Sequence, residues 1–224
     1  LISRVVAFDF DGVIADSLPP QEVAWREALS AISPAVDGEI VQHAVRNLWA
    51  GHAGERMFDG LDLTPEQRRQ ARRKKDRIWS ATRDSVPLVE GAREALRSLP
   101  DAFELFVATT AARAYVLEVL EREGLDHLFT AIVTDDDLAH PKPHPEMLMK
   151  IAHEAGVEIS DLLFVGDSET DLEMAEAAGC PFILLDVRAR WSHVPPAARV
   201  ARSWQELRRI LANSLPGVPS PLGS

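Results

Sequence analysis

Five short, mostly apolar runs constrain this chain: Val5–Phe8, Phe103–Thr109, Ala131–Thr134, Leu162–Val165 and Phe182–Leu185. None has the polar alternation of a strand with one wet face, so each reads as a strand buried on both sides. Segments of helical spacing separate them. These are Gly91–Leu99, Ala111–Glu123 closed by Gly124, Pro145–Ala155 before Gly156, Asp171–Ala178 before Gly179, and Trp204–Leu211. The glycines stand where a helix end needs a left-handed residue. Alternating strands and helices predict an α/β fold, a Rossmann-like parallel sheet with helices on both faces.

One stretch breaks that rhythm. From residue 17 to 88 no strand pattern occurs. Pro19-Pro20 opens a helix, Gly38–Trp49 reads as a second, and Thr64 caps a third that begins at Pro65 and runs to about Thr82. The expected organisation is an α/β core of residues 1–16 and 89–215, a helical block of residues 17–88 inserted after the first strand, and a loose tail over 216–224. Charge divides along the same lines. The chain carries a net charge of −11, yet the insert holds ten acids and eleven Lys or Arg, leaving 25 acids and 13 bases elsewhere. The run Arg68–Arg77 supplies most of the positive charge. It reads as a solvated helix face or as a basic lid that draws in an anionic substrate.

The acidic balance argues against nucleic-acid binding, and no apolar run is long enough to span a membrane. A single cysteine, Cys180, excludes an internal disulfide framework. Its expected role is packing at a helix end. The first strand begins almost at once, leaving no room for a signal peptide, and a cytoplasmic location is expected.

The strand ends carry the chemistry. Val5–Phe8 is followed by Asp9, Asp11 and Gly12, and Leu162–Val165 by Gly166, Asp167 and, four residues on, Asp171. Acids are rarely buried without a partner, so a pair at a strand end needs a cation or a chemical task. Between them lie Thr109 and Thr110, at the end of a third strand, and Lys142, set between two prolines. In open parallel sheets ligands gather at the carboxyl ends of the strands. Acid pair, hydroxyl, lysine and acid pair are the parts of a magnesium-assisted phosphoryl-transfer site. The spacing does not fit a calcium loop, and there is no Walker-type or dinucleotide glycine motif.

Four motifs resemble those of the haloacid dehalogenase-like hydrolases, most closely the capped phosphatases that include phosphoglycolate phosphatase and β-phosphoglucomutase. They are Asp9-Phe10-Asp11-Gly12-Val13, Val107-Ala108-Thr109-Thr110, His140-Pro141-Lys142-Pro143-His144-Pro145 and Gly166-Asp167-Ser168-Glu169-Thr170-Asp171. The resemblance implies that Asp9 is a nucleophile that accepts the phosphoryl group and Asp11 the general acid and base. Dehalogenases and phosphonatases lack an acid at the position of Asp11. Asp167 would complete a magnesium site with Asp9 and the backbone carbonyl of Asp11. Asp171 would hold a metal-bound water, orient Lys142, or serve only as a helix N-terminal acid.

Thr109 would bind phosphate, or Thr110 if the strand is one residue longer, together with Lys142, one of only four lysines in the chain. The resemblance implies that the helical insert of residues 17–88 is a cap on a catalytic core of residues 1–16 and 89–215. Gly51–Arg56 resembles a cap loop that reaches the site in relatives, which makes Glu55 and Arg56 candidate specificity contacts. Arg113 and His144 flank the motifs as further candidates, and the remaining histidines show no metal-ligand spacing. Four ionised acids, balanced by magnesium and Lys142, leave one net negative charge before a phosphate arrives, which a protonated Asp11 would relieve.

The expected function is a magnesium-dependent phosphatase of small phosphorylated metabolites, as monomer or homodimer. A phosphomutase, a receiver-like phosphoacceptor and a non-catalytic binding protein are the alternatives.

Overall fold

A computed structural model describes residues 4–32, 38–49, 54–99, 102–191 and 199–213. In chain order the elements are β1 (Val5–Phe8), α1 (Leu18–Ser30), α2 (Gly38–Trp49), α3 (Pro65–Thr82), α4 (Ala92–Arg97), β2 (Glu104–Thr109), α5 (Arg113–Glu123) and β3 (Phe129–Thr134). There follow α6 (Glu146–Ala155), β4 (Leu162–Gly166), α7 (Glu169–Ala178), β5 (Phe182–Leu185), β6 (Arg199–Ala201) and α8 (Trp204–Asn213). Contacts divide the chain into two compact units, Leu1–Ile14 with Leu88–Ser224, and Ala15–Pro87.

The first unit is a six-stranded sheet in the order β3-β2-β1-β4-β5-β6, parallel at every pairing. It is the Rossmann-like α/β fold that the strand runs predict. Successive residues of β1 face opposite sides of the sheet, and both sides are covered. Val5 and Ala7 share an apolar cluster with Phe106, Phe164, Met147 of α6 and Met174 of α7. Phe8 packs on Trp204 of α8, ring centroids 5.4 Å apart, and the Trp204 indole donates to the carbonyl of Val13 at 2.8 Å. Burying an apolar side chain of this size contributes about 1.5–3 kcal/mol, and the indole N–H keeps a partner. Strand order reverses at β1, which lies between β2 and β4. The C-terminal ends of β1 and β4 therefore flank the crevice where such sheets bind ligands.

β6 is the element that no apolar run announces. Its three residues form a strand by pairing with β5. Two helix starts also lie two residues from the expected ones. α5 begins at Arg113, after an extended Ala112. α7 begins at Glu169, because Ser168 accepts from the Asp171 N–H and closes a capping box.

The described elements of the second unit are helical. α1, α2 and α3, with a 3-10 turn over Gly54–Phe58, enclose a cluster that includes Trp25, Leu29, Ala44, Leu48, Phe58 and Ala71. Asn47 ties α2 to that turn, its Nδ2 donating to the carbonyls of Met57 (3.1 Å) and Asp59 (2.9 Å). Thr64 and Gln67 form the capping box of α3. The basic run is largely engaged within this unit. Arg69 and Arg73 pair with Glu66, Arg68 and Arg72 lie over the Phe58 ring, and Lys75 lies over Trp25 and Trp79. Long cationic side chains cover apolar surface in this way while keeping their heads near water. No helix among the described residues is long and apolar enough to cross a membrane.

Candidate active site

Three strands of the first unit end in polar groups at one edge of the sheet. β1 leads into Asp9, whose N–H donates to Val165 of β4 at 2.8 Å; β4 leads into Asp167; β2 ends in Thr109. Asp9, Asp167 and Asp171 are 8%, 5% and 1% exposed, and an oxygen of each lies within 4.8 Å of the others. Acids so deeply buried require positive charge. Lys142, its side chain 4% exposed, supplies it by bridging Asp9 Oδ1 at 2.9 Å and Asp171 Oδ1 at 2.7 Å. Burial alone would lower the Lys142 pKa, but Asp171 and Asp9 overcome that and raise it.

Asp171 serves two masters. While Oδ1 holds Lys142, Oδ2 accepts from the backbone N–H of Asp167 (3.2 Å) and of Ser168 (3.1 Å) and from the Ser168 hydroxyl (2.7 Å). It is at once a helix-capping acid and the anchor of the lysine.

Two glycines make room for the acids. Gly12 adopts a φ of +82°, and a Cβ there would collide with the Asp167 carboxylate. A Cβ on Gly166 would lie 2.5 Å from Cβ of Asp171. Only a hydrogen allows these carboxylates to sit against the backbone.

Asp11 is half-buried, and Tyr115 of α5 donates to its Oδ1 at 3.3 Å. That hydroxyl is held by packing, because the Tyr115 ring meets Phe10 edge to face at 5.5 Å. Thr109 is buried and Thr110 exposed. The Thr109 hydroxyl oxygen accepts from the Ala111 N–H at 3.1 Å, leaving its own proton to donate. Arg113 is committed elsewhere, pairing with Asp137 at 2.5 Å. Arg56 is half-buried in the 3-10 turn of the second unit, whereas the side chain of Glu55, residues 51–53 and the tail from 214 onward lie outside the described residues. His140 and His144 show a grouping that the spacing did not suggest. Their rings stack at 4.5 Å, and His140 Nδ1 lies 2.9 Å from Glu146 Oε2, so the two histidines and Glu146 could share a cation at the surface.

Sequence reasoning missed Tyr115, Arg190 and Trp191. Arg190 pairs with the Asp167 carboxylate, and the Trp191 indole donates to the Asp167 carbonyl at 3.0 Å. No local motif marks them, because each reaches the cluster through tertiary packing.

The donor set is all oxygen, which suits a hard dication of the magnesium class, and the electrostatics fit it too. Asp167 is pushed up to about 7, by burial first; Asp171 and Asp11 add to the shift, while Arg190 and Lys142 oppose it. Asp9 is raised well above the ordinary range, again by burial first and then by Asp171. In the metal-free protein such acids cost stability as pH rises from about 4, where unfolded carboxyls ionise, to about 7, where Asp167 ionises in the fold. A dication binds the ionised form. The gain in melting temperature on adding magnesium should therefore grow across that window and level off above it. Thermal unfolding with and without magnesium at a series of pH values measures this. A gain independent of pH would separate the metal from these carboxylates.

The family model of haloacid dehalogenase-like hydrolases matches residues 6–185. The chain is 32% identical to the phosphoglycolate phosphatase of Vibrio cholerae over 184 residues, 79% of this chain and 81% of that one. It is 30% identical to the phosphoglycolate phosphatase of Vibrio parahaemolyticus over 223 residues, covering 94% and 97% of the two chains. Among solved structures, it is similar to a haloacid dehalogenase-superfamily hydrolase of subfamily IA from Geobacter sulfurreducens. The TM-score is 0.68 and the identity 28%, over 93% of this chain and 97% of the other.

Proposed function

The chain belongs to the haloacid dehalogenase-like hydrolase family, and we propose that it is a magnesium-dependent phosphatase of small phosphate monoesters. The observation that carries this reading is the buried trio Asp9, Asp167 and Asp171, two of whose members Lys142 bridges, with Asp11 two residues beyond Asp9. Asp9 attacks phosphorus, the P–O bond to the alcohol breaks, and Asp11 gives its proton to the departing alkoxide. Asp11 then takes a proton from water, whose oxygen attacks the aspartyl-phosphate, releasing inorganic phosphate and restoring Asp9. Lys142 and the Thr109 hydroxyl hold phosphate oxygens. Asp9, Asp167 and the backbone carbonyl of Asp11 would hold magnesium, which neutralises charge on the transferring group when bound. Asp171, whose two oxygens already have protein partners, is read as the orienter of Lys142. Tyr115 keeps Asp11 aimed.

The unit Ala15–Pro87 is read as a cap that chooses the ester, with Glu55 and Arg56 as its candidate contacts. A cytoplasmic location accords with the lone thiol of Cys180, which is buried and donates to Leu162. The curated relatives make phosphoglycolate the first substrate to try. A panel of phosphoglycolate, sugar phosphates, nucleotides and p-nitrophenyl phosphate, assayed with magnesium and with excess chelator, tests the reading. Phosphate release from at least one metabolite should be fast with magnesium and fall to background with chelator. Undiminished turnover in chelator would sink it, as would isomerisation of a hexose phosphate without phosphate release.

A further inference from the structure

The acid cluster contains a second cation that no motif announces. Arg190 lies beyond the end of β5, its side chain only 9% exposed. Its Nη2 pairs with Oδ2 of Asp167 and also donates to the Asp167 carbonyl at 3.1 Å. Behind it stands Asp186, 1% exposed. That carboxylate accepts the backbone N–H of Arg190 (2.8 Å) and of Trp191 (3.3 Å) and pairs with Arg202. The Asp186 N–H in turn donates to Ala201 of β6 at 2.9 Å. Ala189 enters this turn at a φ of +50°, a left-handed conformation that an alanine adopts only when its surroundings enforce it. An arginine is rarely buried this deeply, and here edge strand, buried acid and bent backbone all serve to hold one against Asp167.

We propose that Arg190 is a resident cation of the active site: it competes with magnesium for Asp167 and supplies the charge that admits a phosphate dianion. The inference rests on the phosphatase reading above. With Asp11 protonated, as a general acid must be, Lys142 and one magnesium balance Asp9, Asp167 and Asp171, and Arg190 adds the positive charge that meets the dianion. A cation beside a metal-binding carboxylate repels the metal and attracts the phosphate, so the two affinities move in opposite directions when it is removed. A residue that merely aims a metal ligand behaves differently, since its loss weakens metal binding by about ten- to a hundredfold. Aiming is not left to Arg190 alone. Trp191 also grips the Asp167 carbonyl, and the carboxylate rests against Gly12. Charge therefore outweighs orientation at this position.

Calorimetric titration of the full chain with magnesium alone, and then with inorganic phosphate at saturating magnesium, tests this on wild type, Arg190→Gln and Arg190→Lys. The Gln variant should bind magnesium roughly tenfold more tightly and phosphate roughly tenfold more weakly, while the Lys variant stays near wild type in both. Weaker magnesium binding by the Gln variant would make Arg190 an orienting residue and overturn the proposal. Unchanged affinities would make it packing and overturn it as well. If the Gln variant does not fold, Arg190→Met, which keeps the apolar stem, carries the same comparison; loss of the fold in both would assign Arg190 a structural role only. Wild type that binds no magnesium would remove the phosphatase reading itself, and this inference with it.

Discussion

Asp9→Asn should turn over at less than about one thousandth of the wild-type rate, while its metal-free form melts at the same temperature as wild type or higher. The amide keeps the shape of the side chain but cannot form an acyl-phosphate. Stability should not suffer, because the ionised Asp9 is disfavoured where it stands. Burial is the largest cause of its raised pKa, Asp171 and Asp167 add to it, and Lys142 recovers only part. A neutral amide removes that repulsion. Such a divergence, activity lost and stability kept or gained, marks a group retained for chemistry and not for folding. Beryllium fluoride, which mimics a phosphorylated carboxylate, should raise the melting temperature of wild type and leave the variant unmoved. Turnover above a few per cent in the variant would show that phosphorus is attacked by something other than Asp9.

How much of this was legible in the sequence follows from the range of each interaction. The strands that matter for the site, β1, β2 and β4, are apolar almost throughout, and a run buried on both faces shows its nature without any partner being known. The acids at their ends are equally local. Asp9, Asp11 and Gly12 stand together, as do Gly166, Asp167 and Asp171, so their grouping at one edge follows once the strands are parallel. Lys142 is different. Its contacts with Asp9 and Asp171 span 133 and 29 residues, and a lysine between prolines says nothing of where its ammonium lands; its chemistry made it a candidate, and resemblance to known motifs gave it a role. Tyr115 and Arg190 had neither a run nor a motif. Tyr115 reads as one more apolar position of α5, and Arg190 depends on Asp186 and on β6, a strand too short to show in the pattern. The ring partners of the basic run in α3 were hidden for a related reason. Charge along a helix records which side chains are cationic, but Phe58 and Trp25, over which Arg68, Arg72 and Lys75 lie, come from other parts of the unit; Trp79, the other ring under Lys75, belongs to α3 itself. Arg113 likewise sits beside a motif and points to Asp137.

Lys142→Met should be both inactive and strongly destabilised, and the two losses should respond differently to pH. The ammonium is nearly inaccessible and holds two carboxylates that are nearly inaccessible as well. Removing one partner of a buried ionic group leaves the others without compensation, at a cost of about 3–5 kcal/mol. For a chain of this size that lowers the melting temperature by very roughly 6–20 °C. In wild type the Lys142 pKa is raised by Asp171 and Asp9 against burial, so its contribution is fully present below the ordinary lysine range and does not change between mildly acidic and neutral pH. In the variant Asp9 keeps the burial and the neighbouring Asp171 that raise its pKa but loses the ammonium that opposes them, so the fold favours its protonated form even more strongly than before. That penalty is absent at low pH, where the Asp9 carboxyl is protonated in folded and unfolded chain alike, and grows as pH rises. The gap in melting temperature between wild type and variant should thus be small near pH ~4 and widen toward neutrality. Magnesium should narrow it, since a dication restores part of the missing charge. Activity should not recover in parallel. A proton or a metal ion can neutralise the carboxylates, but neither replaces a positioned donor to the phosphate, a contact worth about a hundredfold or more in rate. A variant that regains turnover together with stability would reduce Lys142 to a counter-ion. One whose melting deficit is constant with pH would show that the buried carboxylates are not what it leaves behind.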